Sequence, residues 1–348
     1  MHSLENCTIL GIESSCDETA AAVYSSSDGV RSNVLVSQID LHKAYGGVVP
    51  EIASRAHINA ILPIIQQSLE HACCSIKDID AIAVTNKPGL PGSLLIGVAT
   101  AKAIAYAQAK KLVAVNHLEA HIFSAHIEHA IPFPYLCLTA SGGHTALYRV
   151  DDFGAYNCIG HTRDDAAGEA FDKTAKLLGL GYPGGAVIEQ LARATNFTDF
   201  FKYPRSKDTS LDLSFSGLKT AVLYDMVKRG WYDLESKKNL LHLHSAEEQE
   251  NIKKQVASSL LVCMGDILVQ KVERAFTRSS EFNALTFVGG VSANQYLRDR
   301  LTAAAHTHHK AFFTPTRAYC TDNAAMVAFV GHYRAQKGLF ADFDLDVY

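Results

Sequence analysis

A chain of 348 residues, 48% hydrophobic and 20% charged, has ordinary globular composition and enough length for two packed lobes. Its formal net charge of −4 excludes a large uniformly basic face, so nucleic acid would have to meet a local patch or a surface shared with other proteins. The eight cysteines, Cys7, Cys16, Cys73, Cys74, Cys137, Cys158, Cys263 and Cys320, form no C-x-x-C pair and read as buried thiols of a reducing compartment. With no signal-like leader and no 18-residue apolar segment, the expectation is a soluble, cytoplasmic protein without a membrane.

The first half opens with a strand, Thr8 to Ile12. A polar turn follows, Glu13-Ser14-Ser15-Cys16-Asp17-Glu18-Thr19, and then a return strand from Ala20 to Tyr24. A third strand is expected near Val34 to Gln38. Pro50 to His71 has helical spacing, with Ile58, Ile61, Leu62, Ile65 and Leu69 as its apolar stripe and Pro63 as a kink. Asp80 to Thr85 is a strand, Ser93 to Ala109 an Ala-rich helix, and Leu112 to Val115 a short buried strand.

The second half repeats this order. Tyr135 to Thr139 and Thr145 to Val150 flank the tight turn Ser141-Gly142-Gly143, and a third strand lies near Tyr156 to Gly160. Asp164-Asp165 is expected to cap a helix from Ala166 to Leu178, and Val187 to Ala194 is helical again. Residues 196–283 read as an insertion, polar first and then one long helix from about Ala246 to Thr277. Ala284 to Val288 is a strand, Ser292 to Ala305 a helix, Phe312-Phe313 a short strand, and Asp322 to Gln336 the last helix. Three strands, helix, strand, helix, strand, found twice, predict two similar α/β lobes facing a central cleft. The boundaries expected are 5–133, 134–324 with the insertion, and a tail at 325–348 that packs back on the first lobe.

The chemistry begins at Asn116-His117-Leu118-Glu119-Ala120-His121. Asn116 is a good N-cap, so a helix starts at His117 and carries His117 and His121 on one face. Two imidazoles four apart suit a metal; the plainer reading is a pair of surface histidines. Glu119, two residues on, falls about 200° round the helix and points away from any such ion. That is unlike the H-E-x-x-H of zinc proteases. Asp322, expected in the first turn of the last helix after a Thr321 cap, either meets the helix dipole or supplies a carboxylate to complete a two-His, one-carboxylate set. Three glycine junctions, Gly142-Gly143, Gly184-Gly185 and Gly289-Gly290, suit close backbone approach to a phosphate, ribose or base, or are plain turns. Asn294 can reach a base edge, and Asp172 and Glu189 can accept ribose hydroxyls or pair as surface carboxylates.

Several motifs occur in order: Gly11 to Thr19, the His117/His121 pair, Ser141-Gly142-Gly143-His144-Thr145, Asp165 to Lys173, Tyr182-Pro183-Gly184-Gly185, Phe215-Ser216-Gly217-Leu218-Lys219, Gly289 to Asn294, and Cys320-Thr321-Asp322-Asn323. Over residues 8–336 the chain resembles the TsaD (Gcp, Kae-type) family of tRNA adenosine threonylcarbamoyltransferases. The resemblance implies a duplicated actin-like (ASKHA, RNase H-like) α/β fold with a nucleotide in its cleft. It also implies transfer of threonylcarbamoyl from threonylcarbamoyl-AMP to N6 of adenosine 37 in tRNAs reading ANN codons. Matched by motif, His117, His121 and Asp322 would hold one divalent metal, Fe(2+) or alternatively Zn(2+). Thr139, Ala140, Ser141, Gly142 and Gly143 would line the phosphate. Asp172, Gly185, Glu189 and Asn294 would hold ribose and adenine, and Asp17, with Glu18 beside it, would serve as base. Expected partners are tRNA, a TsaB-like paralogue and a TsaE-like P-loop ATPase.

A metalloprotease and an actin-fold ATPase without transferase activity are the rival readings. The first lacks H-E-x-x-H, and the second rarely needs a His pair. Lys202, Arg205, Lys207 and Lys219, interleaved with Phe200, Phe201, Tyr203 and Phe215, form either a basic aromatic patch for tRNA or a solvated loop.

Overall fold

The computed structural model describes residues 7–205 and 208–347. In chain order, β1 (Thr8–Glu13), β2 (Glu18–Ser25) and β3 (Gly29–Ser37) form an antiparallel meander. The short α1 (Ile39–His42) precedes α2 (Pro50–His71), then β4 (Ala81–Lys87), α3 (Pro91–Ala107), β5 (Lys111–Asn116) and α4 (His117–Phe123). A second meander, β6 (Tyr135–Ala140), β7 (Thr145–Asp152) and β8 (Ala155–His161), leads to α5 (Ala167–Leu178) and α6 (Gly185–Arg193). Next come α7 (Ser216–Lys228), a small hairpin of β9 (Tyr232–Asp233) and β10 (Lys238–Asn239), and α8 (Ala246–Arg278). The chain ends with β11 (Ala284–Val288), α9 (Gln295–Thr307), β12 (Ala311–Phe313) and α10 (Ala324–Gln336).

The chain divides into two compact units. The stretch up to Ala130 and the stretch from Pro315 onward make one; Ile131–Thr314 make the other. Asp322, assigned to the second lobe from sequence, therefore belongs with the first unit. The first sheet runs β3-β2-β1-β4-β5 and the second β12-β11-β6-β7-β8. In each, a strand pairs antiparallel with the next strand and parallel with one that returns after a helix, so β1 and β6 hold equivalent places. The repeat of element order is thus a repeat of hydrogen-bonded topology.

In the first unit α10 lies across β1, β2 and β4. It can come so close because Gly11 has no side chain: a Cβ there would stand 2.5 Å from Ala324 O and 2.6 Å from Ala328 N. Asn323 caps α10, accepting from Met326 N at 3.0 Å. Thr321 is therefore not the cap, and Asp322 sits outside the helix. On α2 the sheet takes Ile61, Ile64 and Ile65, while Ile58 and Leu62 of the expected stripe stay 58% and 62% exposed. The helix has apolar residues on more than one face, and packing against the sheet, not spacing, chooses among them.

The second unit is built around α8, whose Val256, Leu260, Leu261, Met264, Ile267 and Leu268 are buried among the side chains of β6, α5 and β11. Ser245 and Glu248 close its N-terminus as a reciprocal capping box. Contrary to the expectation of no long apolar segment, α8 is long and apolar enough to cross a membrane, but 72% of its apolar window is buried in this core. The stretch expected to be polar contains α7, with Leu218, Val222 and Met226 on one buried face. Asp164 does not cap α5, whose N-cap position is Ala166. It accepts instead from Phe215 N at 2.8 Å and Ser216 N at 3.1 Å, and so holds the start of α7.

Candidate active site

In the first unit, Asn116 Oδ1 accepts from Leu118 N at 2.8 Å and Glu119 N at 3.2 Å, which starts α4 where the sequence predicts. One turn of helix then places the His117 and His121 rings 4.7 Å apart and nearly perpendicular. Asp322 reaches both: its Oδ1 is 3.0 Å from His121 Nε2 and 3.5 Å from His117 Nε2. One ligand atom from each residue lies within 4.8 Å of the other two. Two ligands on an ion with bonds of about 2.1 Å stand roughly 3–3.4 Å apart, a spacing close to the two Asp322–imidazole distances. His121 Nδ1 is buried and has no hydrogen-bond partner among the described residues, whereas its Nε2 is aimed at Asp322. The set, two imidazoles and one carboxylate, suits Fe(II) or Zn(II) and leaves coordination positions open.

Behind His117 stands Glu13, at the end of β1 and fully buried. Its Oε2 is 3.1 Å from His117 Nδ1 and accepts from Thr85 Oγ1 at 2.7 Å, while Oε1 accepts from Ser15 N at 2.6 Å. Burial opposes charge on His117, but Asp322 and Glu13 outweigh it and raise the ring to about 9. Burial likewise opposes charge on Glu13, and His117 outweighs it, so the carboxyl is held below its ordinary range. Ser15 Oγ approaches the same nitrogen, Nδ1, at 3.2 Å, so Ser15, His117 and Glu13 are not a nucleophile–base–orienter series, which needs both ring nitrogens.

Asp17 and Glu18 share the turn that follows. Burial first, then the Asp322 and Asp17 carboxylates, push the Glu18 carboxyl well above its ordinary range. Asp17 is 8% exposed. The turn is pinned by His57, whose Nε2 lies 2.9 Å from Cys16 O and whose Nδ1 lies 2.7 Å from Thr19 Oγ1. Because Cys16 O can only accept, His57 carries its proton on Nε2, and Thr19 donates to Nδ1. Glu119 is 4% exposed and bonded to Arg334 at 3.2 Å, facing away from His117 and His121. It is not placed to act as a protease base.

In the second unit the turn Ser141–His144 closes through Ser141 N to His144 O at 2.8 Å. Its outer backbone is open, for a Cβ at Gly142 or Gly143 would meet nothing within 4 Å, and Gly185 is equally open. The turn leans on α5, since Gly168 N donates to Ser141 O at 3.1 Å. Thr139 and Ala140 are buried in β6, and Gly289 at φ +89 packs against Ala140 O, where a Cβ would stand 2.5 Å away. Gly289 is thus explained by packing and backbone conformation alone. Asp172 Oδ1 accepts from Gly184 N at 2.7 Å and orders the junction that opens α6. Glu189 Oε1 accepts from Gln295 N at 3.0 Å and pairs with Arg193 at 3.1 Å. Asn294 Oδ1 caps α9 through Leu297 N at 3.0 Å, which leaves its amide N–H group as the donor for any base edge. Of the basic patch, Arg205 is neutralised by Asp199 and Asp266, each at 2.7 Å, and Lys219 by Asp165 at 2.6 Å. Lys207 lies outside the described residues.

Sequence reasoning overlooked Glu13 as a functional residue. Its signal was available: a carboxylate closing an otherwise apolar strand demands a buried partner.

The family model for TsaD, tRNA N6-adenosine threonylcarbamoyltransferase, matches residues 29–329. A protein of that name from Thermodesulfovibrio yellowstonii is 45% identical over 340 residues, which cover 97% of each chain. Another from Salinibacter ruber is 46% identical over 342 residues, covering 98% of each. Among solved structures, full-length HypF aligns with a TM-score of 0.56 at 13% identity, over 97% of this chain and 47% of that one. Component A of the Acidaminococcus fermentans (R)-2-hydroxyglutaryl-CoA dehydratase aligns at 0.53 and 13% identity, over 94% and 99%. These likenesses identify the fold as the duplicated actin-like one, and the sequence relatives go further: the chain belongs to the TsaD family of tRNA N6-adenosine threonylcarbamoyltransferases.

Proposed function

We propose that the chain transfers threonylcarbamoyl from threonylcarbamoyl-AMP to N6 of adenosine 37 in tRNAs that read ANN codons, as the specific form of the t6A synthesis that defines its family. The observation that carries the reading is the convergence of His117 Nε2, His121 Nε2 and Asp322 Oδ1. These three would hold Fe(2+), with Zn(2+) as the alternative, and the ion would supply Lewis acidity toward a carbonyl or phosphate oxygen. The chain's own groups do the rest. Backbone N–H groups of Ser141, Gly142 and Gly143, with Thr139 and Ala140 shaping the strand behind them, would receive the phosphate and favour charge on departing AMP. Asp172, Gly185 and Glu189 would hold the ribose and Asn294 the adenine. In the transfer the N6 nitrogen bonds to the carbamoyl carbon, the bond from that carbon to the phosphate oxygen breaks, and N6 loses a proton. Asp17, on the turn after β1, would take that proton.

Partners in this reading are tRNA, a TsaB-like paralogue and a TsaE-like ATPase, acting in the cytoplasm. The test is mass spectrometry of tRNA nucleosides after incubation with threonylcarbamoyl-AMP and the two helpers. Modified adenosine with the native chain, and a loss of roughly 10²–10⁴-fold with Asp322→Ala, is the expected result. Unchanged metal content and transfer in Asp322→Ala would remove that residue from the site.

A further inference from the structure

We infer that Glu13 is a positioning residue for the metal centre: it keeps a proton on His117 Nδ1 and turns Nε2 toward Asp322. The inference rests on the metal-site reading above and concerns a residue outside the ligand set. Glu13 lies at the C-terminal end of β1, and none of its surface is exposed. Its two oxygens meet three donors: Ser15 N–H, the Thr85 hydroxyl and His117 Nδ1. A carboxylate so surrounded can only accept, which places a proton on His117 Nδ1, and the Ser15 hydroxyl, 3.2 Å from the same nitrogen, then takes the acceptor role. Nε2 is then the nitrogen left for a metal, 3.5 Å from Asp322 Oδ1, and a bound ion would displace the proton that the charged ring carries there.

Such an arrangement, carboxylate to imidazole to metal, fixes ring orientation and makes the ligating nitrogen more basic. The second imidazole has no counterpart, since His121 Nδ1 has no partner among the described residues. The two histidines are therefore unequal: one is oriented before a metal arrives, and the other is held mainly through Asp322. Thr85 and Ser15 take part by fixing Glu13 itself, so the orientation of His117 traces back to β4 and to the turn after β1.

Replacement by glutamine is the informative change. The amide keeps the shape but presents N–H groups where only acceptors are tolerated, and it no longer dictates the His117 proton position. Co(II) binding to the purified full chain, measured by competition with a chelator, is expected to weaken about 10–100-fold in Glu13→Gln. A melting temperature recorded on the same samples separates this from simple loss of fold. Equal Co(II) affinity in wild type and a folded Glu13→Gln overturns the inference while leaving the metal site standing. Failure of the wild-type chain to bind Co(II) overturns both. If Glu13→Gln does not fold, nitrogen-15 NMR of Zn(II)-loaded wild type decides. A proton on His117 Nδ1 with Nε2 on the metal supports the inference, and the reverse assignment overturns it.

Discussion

Glu119 Oε2 lies 3.2 Å from Arg334 Nη1, an ion pair that fastens α4, which carries His117 and His121, to α10, which begins just after Asp322. Burial raises the Glu119 carboxyl despite Arg334, so the net worth of the pair is small even though each partner needs the other. Arg334 is 32% exposed, which lowers the cost further. Glu119→Gln should therefore be mild, below about 1 kcal/mol, whereas Glu119→Ala, which leaves Arg334 unpaired beside a cavity, should cost about 1–3 kcal/mol. Urea denaturation of both variants checks this; a loss in Glu119→Gln as large as in Glu119→Ala would mean that the charge of Glu119, rather than its packing and hydrogen bonding, joins the two helices.

Gly11→Ala tests the approach of α10 to the sheet. The added methyl would press on backbone atoms of Ala324 and Ala328, which cannot swing aside as a flexible side chain would. A loss of about 1–3 kcal/mol is expected, together with weaker metal binding as Asp322 shifts with its helix. Calorimetry and metal titration read the two effects. Unchanged stability would show that α10 has slack over β1.

Gly142→Ala separates folding from substrate binding. The new Cβ meets nothing within 4 Å, so the melting temperature should hold. If the turn receives a phosphate by close backbone approach, KM for threonylcarbamoyl-AMP should rise by about tenfold or more. A normal KM in a stable variant would count against the cradle.

Acid should loosen the start of α7 before the rest of the second unit. Burial tends to raise Asp164, but hydrogen bonds from Ser214, Phe215 and Ser216 outweigh it and hold the carboxyl below its ordinary value of 3.8. A depressed folded value means stability that is present above 3.8 and lost as the pH falls through the lower folded value. Hydrogen exchange at Phe215 and Ser216 amides, compared between about pH 5 and pH 2, should show protection lost at the acid end. Equal protection at both would dismiss Asp164 as the anchor.

The actin-like character of the repeat came from the family resemblance, whereas the order of elements, its repetition in two similar α/β halves and the pairing of His117 with His121 on one face were legible in the chain's own residues. Each depends on neighbours only a few residues apart: the period of a strand or helix, the Asn116 cap, the step of one helical turn. Caps were less legible where several polar residues compete; Asn323, not Thr321, closes α10, and Asp164 serves a helix that begins 52 residues on. Which distant groups meet is settled by tertiary structure: Asp322 was named beside the two histidines by motif, and Glu13 was not. His121 and Asp322 are 201 residues apart, and Glu13 and His117 are 104 apart. Local spacing carries no information about such pairs, because their separation is set by how α10 lies across β1 and by how β1 pairs with β4. The same holds for α2, whose helical period was plain but whose buried face was chosen by the sheet it packs on.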